Sequence, residues 1–185
     1  MKKQSSNDLS SEAIQEKKLI YSATISTPLG EMFAFSLEEG ICLVEFTDRK
    51  NLDMEINQLK KQLNAVIIEG QNKHLEILHQ QLNEFFEGKR KDFSVSLITI
   101  GTEFQRKTWN QLQDIPFGAT CSYKEQSNNL GSPGAIRAVA HANALNKIAI
   151  VIPCHRVIGG NGSLTGYSGG LWRKKWLLEF EKSLN

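Results

Sequence analysis

A chain of 185 residues with 40% apolar and 23% charged side chains is long enough for one ordinary domain or two small ones, and its composition is that of a folded globular protein. That excludes a disordered, collagen-like or disulfide-scaffold chain, and no apolar run approaches the ~20 residues of a membrane span. The net charge of +2 conceals an asymmetry, because residues 1–100 carry 12 basic against 15 acidic side chains and residues 101–185 carry 10 against 5. A basic surface suited to a polyanion is therefore expected in the second half.

Residues 1–16 are polar and mixed in charge, without the apolar stretch or cleavage site of a secretory signal, and read as a disordered cytosolic leader. Cys42, Cys121 and Cys154 are odd in number and irregularly spaced, which argues against a disulfide framework and suits a reducing compartment. From residue 19 the pattern predicts strands at 19–25, 32–37 and 41–46, joined by turns at Thr27-Pro28-Leu29-Gly30 and Glu38-Glu39-Gly40, hence an antiparallel meander. Leu52, Ile56, Leu59 and Leu63 fall at helical spacing, 66–68 reads as a strand, and Leu75, Leu78, Leu82 and Phe85 mark a second helix stopped by Gly88. Phe93, Val95 and Leu97 alternate with polar residues as in a half-buried strand. His74 and His79, five apart, do not share a helix face as metal ligands would, and Cys42 reads as a small buried side chain.

After Gly101 the texture changes, since ten of the fourteen glycines and three of the four prolines lie there. A helix over 102–114 is capped by Thr102, and a short one over 123–130 by Ser122. The turn Gly131-Ser132-Pro133-Gly134 then leads into a helix over 135–145, making a helix-turn-helix. Ala135, Ala138, Ala140, Ala142 and Ala144 leave that last helix little bulk, so a partner can approach closely, and Arg137 can reach into it.

The apolar run 148–152 predicts a short buried strand that mounts Pro153-Cys154-His155-Arg156-Val157. Thiolate is the nucleophilic form of cysteine, and a neighbouring His or Arg favours it. Adjacent residues on a strand point apart, so contact between Cys154 and His155 requires a turn or a bridging water. The acidic candidates for orienting the imidazole are Glu179 and Glu181, on a helix over 171–184. With no second Cys or His at ligand spacing, no metal is expected. The glycine-rich stretch 159–170 lacks the pattern of a phosphate-binding loop, so ATP chemistry is not expected either. Within it, Tyr167 offers a surface for stacking on a base, and Ser168 or a loop amide can bind an exocyclic oxygen.

These residues resemble the O6-alkylguanine-DNA alkyltransferases, or methylated-DNA-protein-cysteine methyltransferases. The hallmark Pro153-Cys154-His155-Arg156-Val157 stands in order with Gly101-Thr102-Glu103-Phe104-Gln105, Ile115-Pro116-Phe117-Gly118, Ser122-Tyr123 and Arg137-Ala138-Val139 upstream. Gly166-Tyr167-Ser168-Gly169-Gly170-Leu171, Lys174 and Leu177-Leu178-Glu179-Phe180-Glu181 follow downstream. The similarity is strong over 101–182 and one of pattern over 18–100.

The resemblance implies an α+β fold, with a small ribonuclease-H-like α/β domain over 17–100 and a winged-helix-like domain with the helix-turn-helix over 101–185. It implies DNA repair by direct reversal, in which O6-alkylguanine is flipped out of the duplex and its alkyl group moves irreversibly to Cys154, once per molecule. His155 would be the base, acting through a water, and Glu181 its orienting carboxylate. Tyr123 would help rotate the nucleotide and donate toward guanine N3. Arg137 would fill the gap in the stack, with Ala135, Ala138 and Ala140 fitting the minor groove. Asn146 would be the hinge, and Val157, Tyr167 and Ser168 would line the guanine pocket. No cofactor is implied. The implied partner is double-stranded DNA bound by a cytoplasmic monomer, with no membrane and with cooperativity on DNA left open. Lys147 follows Asn146 where many relatives have proline, so a less rigid hinge is expected. With no cysteine-rich module of the adaptive-response kind in these 185 residues, neither phosphotriester repair nor transcription control is expected, and Cys121 reads as a structural thiol. Two other readings are a damage sensor, whose relatives replace the acceptor cysteine, and a Cys-His-Glu thiol hydrolase, in which the helix-turn-helix and Arg137 have no role.

Overall fold

The computed structural model describes residues 17–185, so the expected leader over 1–16 lies outside the described residues. The architecture is mixed α+β. Strands β1 (Lys18–Thr27), β2 (Gly30–Ser36) and β3 (Ile41–Phe46) form the expected antiparallel meander. Thr27 pairs with Gly30 across a tight turn, where Gly30 takes a φ of 114°. Helix α1 (Leu52–Leu63) then carries the chain to β4 (Ala65–Glu69), which pairs parallel to β1 and completes a sheet of order β3-β2-β1-β4.

Helix α2 (Lys73–Phe86) starts at Asn72, whose side chain accepts from the Leu75 amide, and buries Leu75, Leu78, Leu82 and Phe85 on one face. Each such side chain contributes roughly 1.5–3 kcal/mol by leaving water. The segment 93–97 is not the expected strand. Only Leu97 bridges to Ile41, through Ile41 N to Ser96 O at 2.8 Å and Ile98 N to Ile41 O at 2.8 Å, and the rest is irregular although Val95 is buried in the core. Ser94 explains part of this, because its amide and hydroxyl are both taken by the Gln81 side chain.

The second half is helical. Helix α3 (Glu103–Leu112) and helix α4 (Tyr123–Asn129) both begin with the predicted caps, each a full capping box, Thr102 with Gln105 and Ser122 with Glu125. Helix α5 (Ile136–Ala144) completes the helix-turn-helix, and α6 (Leu171–Ser183) packs behind the site. Inside the helix-turn-helix, Asn143 Nδ2 donates to Gln126 Oε1 at 2.7 Å and Gln126 Nε2 returns a bond to Asn143 Oδ1 at 3.4 Å, both buried, and Trp109 Nε1 donates to Ala142 O at 2.8 Å. A two-stranded parallel pair, β5 (Cys121–Ser122) with β6 (Val157–Ile158), ties α4 to the segment that carries Cys154.

One apolar core runs through both halves, from Ile25, Met32, Val44 and Phe46 through Leu78 and Phe85 to Trp109, Ile148 and Leu177. Across it, Phe85 and Phe86 of α2 pack on Phe180, and Phe86 on Trp176, with ring centroids 5.6–6.4 Å apart. Among the described residues no helix is long and apolar enough to cross a membrane.

Candidate active site

The run 148–152 is not a strand. Ile148 alone bridges to Val44, and the chain then winds into tight turns closed by Ile152 N to Ile148 O at 3.0 Å and Cys154 N to Ile152 O at 2.8 Å. The cause is Asn146. Its Oδ1 accepts from Ile148 N at 3.0 Å, while its Nδ2 donates to Ile152 O at 2.9 Å and to Cys154 Sγ at 3.2 Å. A side-chain amide thus takes over bonds that a sheet would supply. Ile150 is held at a φ of 70°, costly for a β-branched residue and sustained by full burial of its neighbours. Strand β3 also grips this segment, with Val44 N donating to Lys147 O and Ala149 N to Val44 O, both at 2.8 Å. Lys147 itself is anchored, its Nζ donating to Ile100 O at 3.3 Å.

Cys154 opens a 3-10 turn, Cys154–Arg156, which sends consecutive side chains in different directions. His155 is fully buried, and its Nε2 lies 2.8 Å from Glu181 Oε1. Of the two acids considered, Glu179 is exposed and faces Lys175 at 3.8 Å, whereas Glu181 is fully buried. Glu181 also receives Arg156 Nε at 3.0 Å, Arg156 Nη2 at 3.0 Å and the Gly118 amide at 3.0 Å. Burial alone would raise this carboxyl, but the hydrogen bonds from His155 and Arg156 and the Arg156 charge bring it down, to about 2 once His155 is itself protonated in acid, so it is ionised at neutral pH. Burial pushes the His155 imidazole below its usual range against the pull of Glu181. A neutral ring whose Nε2–H donates to the carboxylate leaves Nδ1 as the basic atom, and among the described residues Nδ1 has no partner.

Burial drives the Cys154 thiol up to about 11, only partly opposed by the Asn146 hydrogen bond and the Lys174 charge. The resting sulfur is therefore a thiol, and nucleophilicity must come from proton removal at the moment of reaction. The thiolate absorbance that distinguishes the protein from Cys154→Ser should accordingly emerge only near pH 11. A titration complete by pH 8 would contradict this assignment.

Two of the side chains expected to meet a base, Tyr123 and Tyr167, lie near enough to the sulfur to feel its charge. Tyr123, first residue of α4, donates its hydroxyl to Thr165 O at 3.0 Å, and burial followed by the nearby Cys154 raises its pKa. Gly166, at a φ of 64°, lies under that hydroxyl, where a Cβ would sit 2.9 Å from the oxygen. Tyr167 is buried edge-on to His155 with centroids 6.5 Å apart, and its own hydroxyl lacks a partner among the described residues. Val157 is buried in the same apolar core and Ser168 is half-buried on the loop that carries Tyr167. Arg137 and Ala138 are exposed on α5 and Ala135 and Ala140 half-exposed, so these four form an outer face rather than part of the buried cluster. Cys121, half-buried, keeps its thiol against Ser122 O at 3.4 Å, and Cys42 is buried in β3.

Two side chains whose roles sequence reasoning did not see complete the arrangement. Arg156 joins Glu181 to Ile115 O, and Lys174, fully buried with a pKa brought down to about 8 by burial, donates to Val157 O and Thr165 O, each at 2.6 Å. The available signal was position, since Lys174 and Glu181 flank Leu177 along α6 at helical spacing from that buried residue. No three His, Cys, Asp or Glu among the described residues gather as a metal-binding set.

Family models match almost the whole described chain. Residues 20–99 match the ribonuclease-like domain of 6-O-methylguanine DNA methyltransferase, and residues 103–183 match its DNA binding domain. The chain belongs to this family. A methylated-DNA–protein-cysteine methyltransferase of Methanosarcina acetivorans is 42% identical over 164 residues, spanning 89% of this chain and 99% of the relative. The crystal structure of the Mycobacterium tuberculosis O6-methylguanine methyltransferase superposes with a TM-score of 0.77 at 37% identity, covering 90% of this chain and 94% of that one. A structure of the M. tuberculosis protein in complex with DNA gives 0.76 at the same identity and coverage. The methyltransferase family thus accounts for both halves of the fold at once.

Proposed function

We propose that Cys154 is the alkyl acceptor of a methylated-DNA–protein-cysteine methyltransferase that repairs O6-alkylguanine in duplex DNA. The observation that carries this reading is the buried Cys154, held by Asn146 and followed by an imidazole whose Nε2 is fixed on Glu181 while Nδ1 is left basic. His155 Nδ1 takes the thiol proton, relayed by a water. The sulfur attacks the alkyl carbon in line with the O6–C bond, a C–S bond forms as that bond breaks, and the electron pair passes to guanine. Tyr123, released from Thr165 O, donates a proton toward N3 so that guanine leaves neutral. Because a thioether is not easily cleaved, each molecule acts once.

A base inside a duplex is out of reach of so buried a sulfur, so the nucleotide is flipped, at a few kcal/mol of unstacking. The small outer face of α5, with Ala135, Ala138 and Ala140, enters the minor groove, and Arg137 takes the vacated place in the stack. Asn146 links that helix to the site, and Val157, Tyr167 and Ser168 line the guanine pocket. The boundary between the two domains falls near Gly101, and the protein acts as a cytoplasmic monomer.

Intact mass followed by peptide mapping, after mixing with excess duplex containing one O6-methylguanine, tests the assignment. One methyl on Cys154 with guanine restored is expected, and methyl on any other residue would overturn it. Arg137→Ala should slow repair in the duplex by about tenfold while leaving transfer from free O6-benzylguanine within about twofold. Equal losses on both substrates would remove the stack-filling role.

A further inference from the structure

The guanidinium of Arg173, in the first turn of α6, reaches both halves of the molecule. Its Nε donates to Leu29 O in the β1–β2 turn at 2.9 Å, and its Nη1 and Nη2 grip the two carboxylate oxygens of Asp48 at 2.8 and 2.9 Å. The second Nη1 hydrogen goes to Gly169 O at 2.9 Å. The group also lies 4.0 Å from the centroid of Phe46, at the end of β3, and 4.6 Å from that of Trp172. Gly169 is the second residue after Tyr167. A Cβ there would come within 2.9 Å of the Tyr167 ring and 3.0 Å of Phe46, so the loop backbone is pressed between the tyrosine and the first half of the chain.

We propose that Arg173 is a positioning residue for alkyl transfer, through which β3 and the β1–β2 turn fix the Tyr167–Gly169 wall against which the flipped base is held. This rests on the reading that Tyr167 and Ser168 line the guanine pocket. Arg173 is buried behind that wall and is absent from the charges that act on Cys154, so it works through geometry rather than through the thiol. Its fork is matched to a carboxylate, which lysine cannot reproduce. A loop freed to move by an ångström misplaces the alkyl carbon relative to the sulfur, and such errors cost up to about a hundredfold in rate.

The test compares full-length Arg173→Met, Arg173→Lys and Asp48→Asn with the unaltered protein in four readings. These are the limiting single-turnover rate on duplex carrying O6-methylguanine, affinity for undamaged duplex, the rate at which iodoacetamide labels Cys154, and the melting temperature. Arg173→Met should lower the limiting transfer rate by about tenfold, Asp48→Asn by about threefold, and Arg173→Lys by an amount between them. DNA affinity and iodoacetamide labelling should stay within about twofold. The Asp48 side chain is 63% exposed, so its variant folds even where Arg173→Met does not. Transfer unchanged in Asp48→Asn and Arg173→Lys overturns the proposal, as does transfer that falls in step with labelling and melting temperature. Tyr167→Leu separates the underlying reading: if that variant transfers as fast as the unaltered protein, the pocket assignment itself fails whatever Arg173 does.

Discussion

Cys154→Ser should bind duplex DNA as tightly as the unaltered protein and accept no methyl group. The substitution changes one buried atom, Asn146 Nδ2 can donate to a hydroxyl oxygen as it does to sulfur, and the face of α5 is untouched, so folding and DNA affinity persist. What is lost is a polarisable nucleophile. A serine hydroxyl is far less acidic than a thiol already raised to about 11, and displacement at a saturated carbon offers no carbonyl through which a serine-histidine pair could work. The loss should exceed about ten-thousandfold, which corresponds to roughly 5.5 kcal/mol of activation free energy. Intact mass after prolonged incubation reads it, with anisotropy for DNA binding. Methyl recovered on the introduced serine, or anywhere else in the variant, would contradict the assignment.

Glu181→Gln should cost both stability and rate. The carboxylate accepts from His155, Arg156 and the Gly118 amide with no exposure to solvent. An amide cannot accept all of these and points two hydrogens at groups that are themselves donors. Arg156 is then left buried without a counter-charge, a loss of about 3–5 kcal/mol. The carboxyl is held below its unfolded value, so between about pH 4.5 and 2 the unfolded chain binds the extra proton. The stability present at neutral pH is therefore lost as the pH falls through that window, by roughly 3 kcal/mol. Urea unfolding at pH 7 and pH 3 should show a larger loss in the unaltered protein than in Glu181→Gln, the remainder coming from carboxyls such as Asp48 that are also held low. Identical slopes would mean that another group carries it. Transfer at neutral pH should fall by about a hundredfold as His155 loses its orientation.

The caps at Thr102 and Ser122, the apolar stripe of α2 and the block around Cys154 were legible because each is a local pattern with a local cause. The run 148–152 misled for a physical reason, since apolar residues buried on every side show no period, and the bonds that wind them come from Asn146. Composition treats Arg156, Arg173 and Lys174 as solvated charges, which such residues usually are, and their burial depends on partners up to 144 residues away. Residue pattern left Glu179 and Glu181 equal, two positions apart on one helix. The resemblance favoured Glu181, and the fold brings that one to His155.

The bonds that build the site join Leu29 to Arg173, Arg49 to Ala144, Gly118 to Glu181, and β3 to the turn at Lys147 and Ala149. Contacts of such sequence separation close late, after the entropy of long loops has been lost, so this chain should fold slowly and the site should be among the last parts to assemble. Until α6 docks, Glu181 and His155 are strangers and Cys154 is an ordinary thiol among three. The reactivity belongs to the finished molecule, and a half-folded chain is no more dangerous to its surroundings than any other cysteine-bearing coil.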